Sequence, residues 1–134
     1  MTSKSDSLSR SLYNERIVDY FRNPRYYGTV AHPDFFALAS DETCGDSIAY
    51  QGKIEDGIVS EIAFTGKGCM ISQATASLLA EAIIGKPVVE IQRMDETSIR
   101  ELIQLNLGPN RIRCALLALK ALHRGLSDYE KKAV

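Results

Sequence analysis

Between Phe35 and Phe64 apolar side chains recur mostly at every second position, and from Met70 onward they recur at helical spacing. That change of period constrains the fold more than any other feature, because a strand face and a helix stripe must be buried against each other. Phe35 to Ala39, then Ile48 and Tyr50, then Ile58, Ile62 and Phe64 read as three strands. Asp56-Gly57 sits between the last two, where glycine tolerates the positive φ angles of a tight hairpin turn. A three-stranded antiparallel sheet is expected.

Helices flank it. Tyr13, Ile17, Val18 and Phe21 form a stripe that predicts a first helix over about Leu12 to Phe21, stopped at Asn23-Pro24. An Ala/Leu-rich helix is predicted from about Met70 to Ile84, with Cys69 at its start, Gly85 as a left-handed cap and Pro87 just beyond. A shorter helix follows Asp95 and carries Ile99, Leu102 and Ile103. The break Leu107-Gly108-Pro109-Asn110 then precedes a last helix over about Arg111 to Arg124, ended by Gly125.

Sheet and about four to five helices predict one two-layer α+β domain, and 134 residues suit a single core. Residues 1–10, rich in Ser, Lys and Asp, read as a flexible lead-in, 11–126 as the domain and 127–134 as a C-terminal tail. The net charge of −1 with scattered basic residues speaks against nucleic acid or a membrane surface as partner. Apolar stretches are too short for a bilayer span and the polar N-terminus lacks a secretory segment, so a cytoplasmic location is expected.

Three cysteines, widely separated and without a CxxC, fit neither a disulfide framework nor a zinc ribbon or thioredoxin-type pair. Cys44 lies in Thr43-Cys44-Gly45-Asp46, which sets a thiol and a carboxylate two residues apart in a glycine turn. It reads either as half of a metal site or as a buried cysteine whose neighbouring Asp46 bonds local backbone. Cys69 follows Gly66-Lys67-Gly68 and opens a helix, where free backbone N–H groups favour nucleophilicity and metal binding. Cys114, expected in the first turn of the last helix, reads as core or, if exposed, as a thiolate aided by Arg113. Three soft sulfurs and the Asp46 carboxylate supply the four ligands that a tetrahedral Zn or a [2Fe-2S] cluster takes.

The motifs Asn23-Pro24-Arg25 with Gly28, Thr-Cys-Gly-Asp at 43–46, Gly-x-Gly-Cys at 66–69 and Arg-Ile-Arg-Cys at 111–114 resemble the IscU/SufU/NifU N-terminal family of iron–sulfur scaffolds. The resemblance runs from about Leu12 to Gly125 and keeps motif order and spacing. It implies an IscU-like sheet with packed helices, a [2Fe-2S] cluster or Zn near one end, sulfur delivered as persulfide by a cysteine desulfurase, and apo-proteins as recipients. It also implies Cys114 as persulfide acceptor, with Cys44, Asp46 and Cys69 completing the site. Either a monomer or a homo-oligomer fits.

Two features depart from the IscU type. Arg113 stands where a His usually precedes the third cysteine, and a guanidinium does not ligate metal, so the resemblance leaves the fourth position to Asp46. Leu107-Gly108-Pro109-Asn110-Arg111 replaces the segment read by a dedicated Hsp70 chaperone, which argues against that partner. Lack of the His points toward the zinc-binding, sulfur-relaying SufU type, whose insertion between the second and third cysteines is absent here. A thiol enzyme using His32 or His123 as base and a structural zinc domain are the remaining alternatives.

Overall fold

A computed structural model describes residues 15–133 of the chain. The predicted lead-in at 1–10 and the start of the predicted first helix lie outside the described residues; the helix is described over 15–22 (α1). Three strands follow, β1 (Phe35–Asp41), β2 (Asp46–Glu55) and β3 (Ile58–Lys67), then α2 (Met70–Ile83), α3 (Val88–Gln92), α4 (Glu96–Ile103) and α5 (Pro109–Ala133). The sheet is antiparallel in the order β1-β2-β3, the expected α+β arrangement. Among the described residues no helix is long and apolar enough to cross a membrane.

One face of the sheet carries Phe35, Ala37 and Ala39 from β1, Ile48 and Tyr50 from β2, and Ile62 and Phe64 from β3, all buried. Helices α2 and α5 close over this face, and most of the apolar side chains they bury are Ala and Leu. The Tyr50 hydroxyl donates to the Ala76 carbonyl at 2.6 Å, which ties the sheet centre to α2 and offsets the roughly 1–3 kcal/mol that an unpaired buried hydroxyl costs.

The Asp56-Gly57 hairpin forms as expected, with φ of 53° and 75°. Just beyond it the pairing shifts between Lys53 and Ile54, so that one extra residue of β3 reverses which side chains face inward. The expected inward Ile58 is therefore 39% exposed, and Val59 is buried in its place.

Gly125 does not end the last helix. Helix α5 runs through it, because the glycine is a contact point: a Cβ there would lie 3.0 Å from Phe35 Cδ2 and 3.1 Å from Ala37 Cβ. The missing side chain lets α5 lie close on β1, and the predicted tail continues the helix to Ala133. The other end also differs, since α5 starts at Pro109 rather than Arg111; proline suits a first helical turn, whose N–H has no intrahelical partner. Helix α3 is an addition, its Val88 and Ile91 buried one turn apart after Pro87.

Asn23-Pro24-Arg25 has a structural role. Arg25 lies 3.8 Å from the Tyr20 ring centre and pairs with Asp19 at 2.8 Å, while its N–H donates to Ser77 Oγ at 2.7 Å. The chain from there covers the outer edge of β3, with Phe64 N–H donating to Tyr26 O and Gly28 N–H to Phe64 O, both at 2.9 Å. At one end of the sheet the β1–β2 turn, the β3–α2 turn and the first turns of α5 are left side by side.

Candidate metal centre

Each of those three segments delivers a cysteine. The β1–β2 turn is wound by Asp41, whose carbonyl accepts the Gly45 N–H and whose side chain accepts the Thr43 N–H, each at 2.9 Å. Arg113 of α5 clamps the same carboxylate, its Nη2 lying 3.2 and 2.9 Å from the two oxygens. Partial burial raises the Asp41 carboxyl, but Arg113 and the Thr43 and Cys44 N–H groups together hold it below its ordinary value. Arg113 thus stands beside the cysteines as the tether that fixes Cys44 against α5.

Asp46 begins β2 with its side chain turned inward, 1% exposed. The Cys69 N–H donates to its Oδ1 at 2.8 Å and the Cys69 thiol to its Oδ2 at 3.2 Å. Gly68 makes room for this pairing: it holds φ at +125°, and a Cβ there would land on the Asp46 carboxylate. Cys69 is the N-cap of α2, as expected, yet its own side chain caps nothing, which leaves the sulfur free for other partners.

Cys114 lies in the second turn of α5 because that helix starts early, and it is 5% exposed. Its sulfur is 3.6 Å from that of Cys44, which is exposed, and 3.7 Å from the Asn110 carbonyl. Burial first, then the neighbouring Cys44 and Cys69 thiols, push the Cys114 thiol up to about 12. The expected aid from Arg113 and the helix end does not operate, since Arg113 points to Asp41 and Cys114 is past the helix terminus.

The ligand atoms of Cys44, Asp46 and Cys114 all lie within 4.8 Å of one another, and Cys69 joins them through Asp46. A half-open cavity of about 390 Å³ lies over the group, lined by the three cysteines with Thr43, Arg111 and Arg113. Three sulfurs and one carboxylate form a donor set that suits zinc or an iron–sulfur cluster and disfavours magnesium or calcium. All four residues singled out from the sequence are therefore together. Neither histidine lines this cavity, and His123 Nε2 is 2.9 Å from the Ile91 carbonyl, a contact between helices.

Two neighbours were given no role from the sequence, Arg111, quoted only within its motif, and Ser72, not singled out at all. Arg111 lines the cavity mouth, and Ser72 is fully buried with Oγ 3.8 Å from the Cys69 sulfur. The signal for Ser72 is its position three residues after Cys69, one helical turn along the same face. In the metal-free protein alkylation by iodoacetamide at pH 8 is expected to reach Cys44 first and Cys114 last, at least about tenfold more slowly, because only the thiolate attacks. Peptide mass spectrometry over time reads the order; equal rates would show that Cys114 is not shielded.

The sequence profile of the NifU-like N terminal domain family matches residues 12–134. Among curated relatives, the iron–sulfur cluster assembly scaffold protein IscU of Buchnera aphidicola subsp. Schizaphis graminum is 35% identical over 124 residues, covering 90% of this chain and 95% of the relative. Among solved structures, the N-terminal part of a nitrogen-fixing NifU-like protein from Brucella abortus superposes with a TM-score of 0.74 at 25% identity, covering 90% of this chain and 95% of the other. A candidate iron–sulfur scaffold of the SUF system from Fervidobacterium islandicum AW-1 gives a TM-score of 0.72 at 25% identity, covering 84% and 94%.

Proposed function

The chain belongs to the NifU-like N-terminal domain family, and from that premise we propose that it is a scaffold on which a [2Fe-2S] cluster is assembled and then handed to apo-proteins in the cytoplasm. The scaffold role follows the IscU relatives, and the proposed sulfur source for that role is a cysteine desulfurase. The cluster is cargo, held and released; the chain is a transfer protein and not a turnover enzyme.

One observation carries this function: the four donors fall into two pairs. Cys44 and Cys114 have sulfurs 3.6 Å apart, and the Cys69 sulfur is 3.2 Å from Asp46 Oδ2. Two sulfurs on one tetrahedral metal sit about 3.8 Å apart and a sulfur and an oxygen about 3.5 Å, given metal–sulfur bonds near 2.3 Å and metal–oxygen bonds near 2.0 Å. Each pair therefore suits one iron of a two-iron unit. Cys114 is the proposed persulfide acceptor; because it is buried behind Cys44, the donor must part those two sulfurs to reach it. Arg111, which lines the cavity and has no carboxylate committed to it among the described contacts, offsets part of the negative charge that three thiolates and a carboxylate bring.

The same compactness supports a second function, a zinc-binding sulfurtransferase of the SufU type that relays persulfide sulfur. Cys44, Asp46 and Cys114 are close enough for a single ion. Anaerobic incubation with ferrous iron, cysteine and a desulfurase separates the two. Sulfide-to-iron charge-transfer bands with near-equal iron and acid-labile sulfide are expected of the scaffold. A colourless protein that keeps one zinc against iron and sulfide would replace it with the zinc relay.

A further inference from the structure

Helix α2 buries four polar side chains, Ser72, Gln73, Thr75 and Ser77, and its other buried residues are all Ala, Leu or Ile. A buried hydroxyl costs free energy unless it is used. Ser77 is used, since it accepts the Arg25 N–H at 2.7 Å. Ser72, 0% exposed, faces Cys69 instead: its Oγ donates to the Cys69 carbonyl at 3.0 Å and lies 3.8 Å from the Cys69 sulfur.

The capping needs of the helix do not account for Ser72. Cys69 is the N-cap and Ser72 the third residue of the helix, the two ends of a capping box. In such a box the third residue accepts the N-cap N–H, but here that N–H goes to Asp46 Oδ1 at 2.8 Å. The Cys69 carbonyl is also supplied, by the Gln73 N–H at 3.2 Å. Both backbone groups of Cys69 are satisfied without the serine, so its hydroxyl proton can rotate to another acceptor at little cost. The Gln73 amide, 3.4 Å away and 8% exposed, donates to the Ser72 oxygen and keeps the lone-pair side occupied.

The Cys69 sulfur is itself a donor in the structure, its S–H directed at Asp46 Oδ2. When a metal displaces that proton the sulfur becomes an acceptor, and Ser72 is the nearest buried hydroxyl to it. We propose that Ser72 is a positioning residue for the metal centre, its hydroxyl turning from the Cys69 carbonyl to donate a hydrogen bond to the metal-bound Cys69 sulfur. Such a bond fixes the direction of the sulfur and withdraws electron density from it, which is how protein donors tune sulfur-ligated metals.

The proposal rests on Cys69 being a ligand, as the proposed function has it, but not on which metal or cluster is carried. Cobalt(II) alone is therefore the probe, because its thiolate charge-transfer bands report the sulfur directly. Ser72→Ala is expected to move those bands to lower energy and to weaken cobalt binding about tenfold, the lower end of what loss of a supporting hydrogen bond costs. Ser72→Thr, which keeps the hydroxyl, is expected to restore both. Bands and affinity unchanged in Ser72→Ala would overturn the role, as would a variant that loses affinity without any band shift, since that marks a packing effect alone. If Ser72→Ala does not fold, the parent protein is moved into D2O; cobalt bands that do not respond overturn the role. Failure of the scaffold function shows separately, as a parent protein that binds cobalt through its thiolates but builds no cluster.

Discussion

Gly68→Ala is expected to lower cobalt or zinc affinity about 10- to 100-fold, the range seen when the support of a ligand is lost, and to destabilise the fold by on the order of 3 kcal/mol. Two costs combine. The backbone there holds φ at +125°, a conformation that side-chain-bearing residues rarely adopt, and the added Cβ would fall on the Asp46 carboxylate, which is 1% exposed. Asp46 would be pushed off the Cys69 N–H and thiol while its charge stayed buried beside them, so the displaced carboxylate would drive Cys69 out of position, a collision that removing the side chain altogether avoids. Gly28 supplies the control. It holds φ at +138°, yet a Cβ there would meet nothing within 4 Å, so Gly28→Ala carries the backbone cost without the collision. Urea unfolding and cobalt titration of both variants read the two effects apart: both should lose stability, and only Gly68→Ala should lose metal. Equal loss of affinity in the two variants would mean that the Asp46 cradle does not matter.

The same glycine shows how far local sequence carries. Gly66-Lys67-Gly68-Cys69 announces a close approach and a helix start, and both are present. What approaches is Asp46, and no local pattern says so, because the partner comes from a strand 23 residues away in sequence. Where an element is fixed by its own residues, as in the Asp56-Gly57 hairpin or the Asp95 cap that accepts the Ser98 N–H, sequence and structure agree. Where packing decides, they part. Gly125 reads locally as a helix terminator, but contact with Phe35 and Ala37 makes it a place for close passage of a continuing helix. A one-residue bulge likewise exchanges Ile58 for Val59 in the core.

The four candidate ligands were legible as residue types in turns and at helix starts; their chemical states were not. Cys114 was expected in the first turn of the last helix, either as core or, if exposed, as a thiolate. Because α5 starts at Pro109, that residue is carried past the terminus and under Cys44, where burial favours the thiol. Ser72 escaped notice because a serine in the first turn of a helix is ordinary by sequence; only full burial and the prior commitment of both Cys69 backbone groups set it apart.

Asp46→Ala is expected to lengthen the life of a bound cluster and slow its transfer, each about tenfold. Loss of a ligand would ordinarily weaken a site, so the sign depends on what the carboxylate does after the cargo leaves. A hard oxygen donor is the poorest match in a set of soft sulfurs, so its bond to the metal contributes least to holding the cluster. The same carboxylate accepts both the N–H and the thiol of Cys69, at 2.8 and 3.2 Å, and the second of these bonds can exist only where no metal has displaced the thiol proton. It therefore stabilises the released state, in which Cys69 has regained its proton. Leaving a buried donor unpaired costs about 1–3 kcal/mol, and a difference of 1.4 kcal/mol is tenfold in an equilibrium. Alanine should thus raise the free energy of the empty site more than that of the loaded one, and the cluster should stay. Decay of the charge-transfer bands on adding an apo-ferredoxin measures the transfer, and urea unfolding of the metal-free protein measures the penalty. A metal-free variant as stable as the parent, with faster transfer, would assign Asp46 to holding the cluster instead of to letting it go.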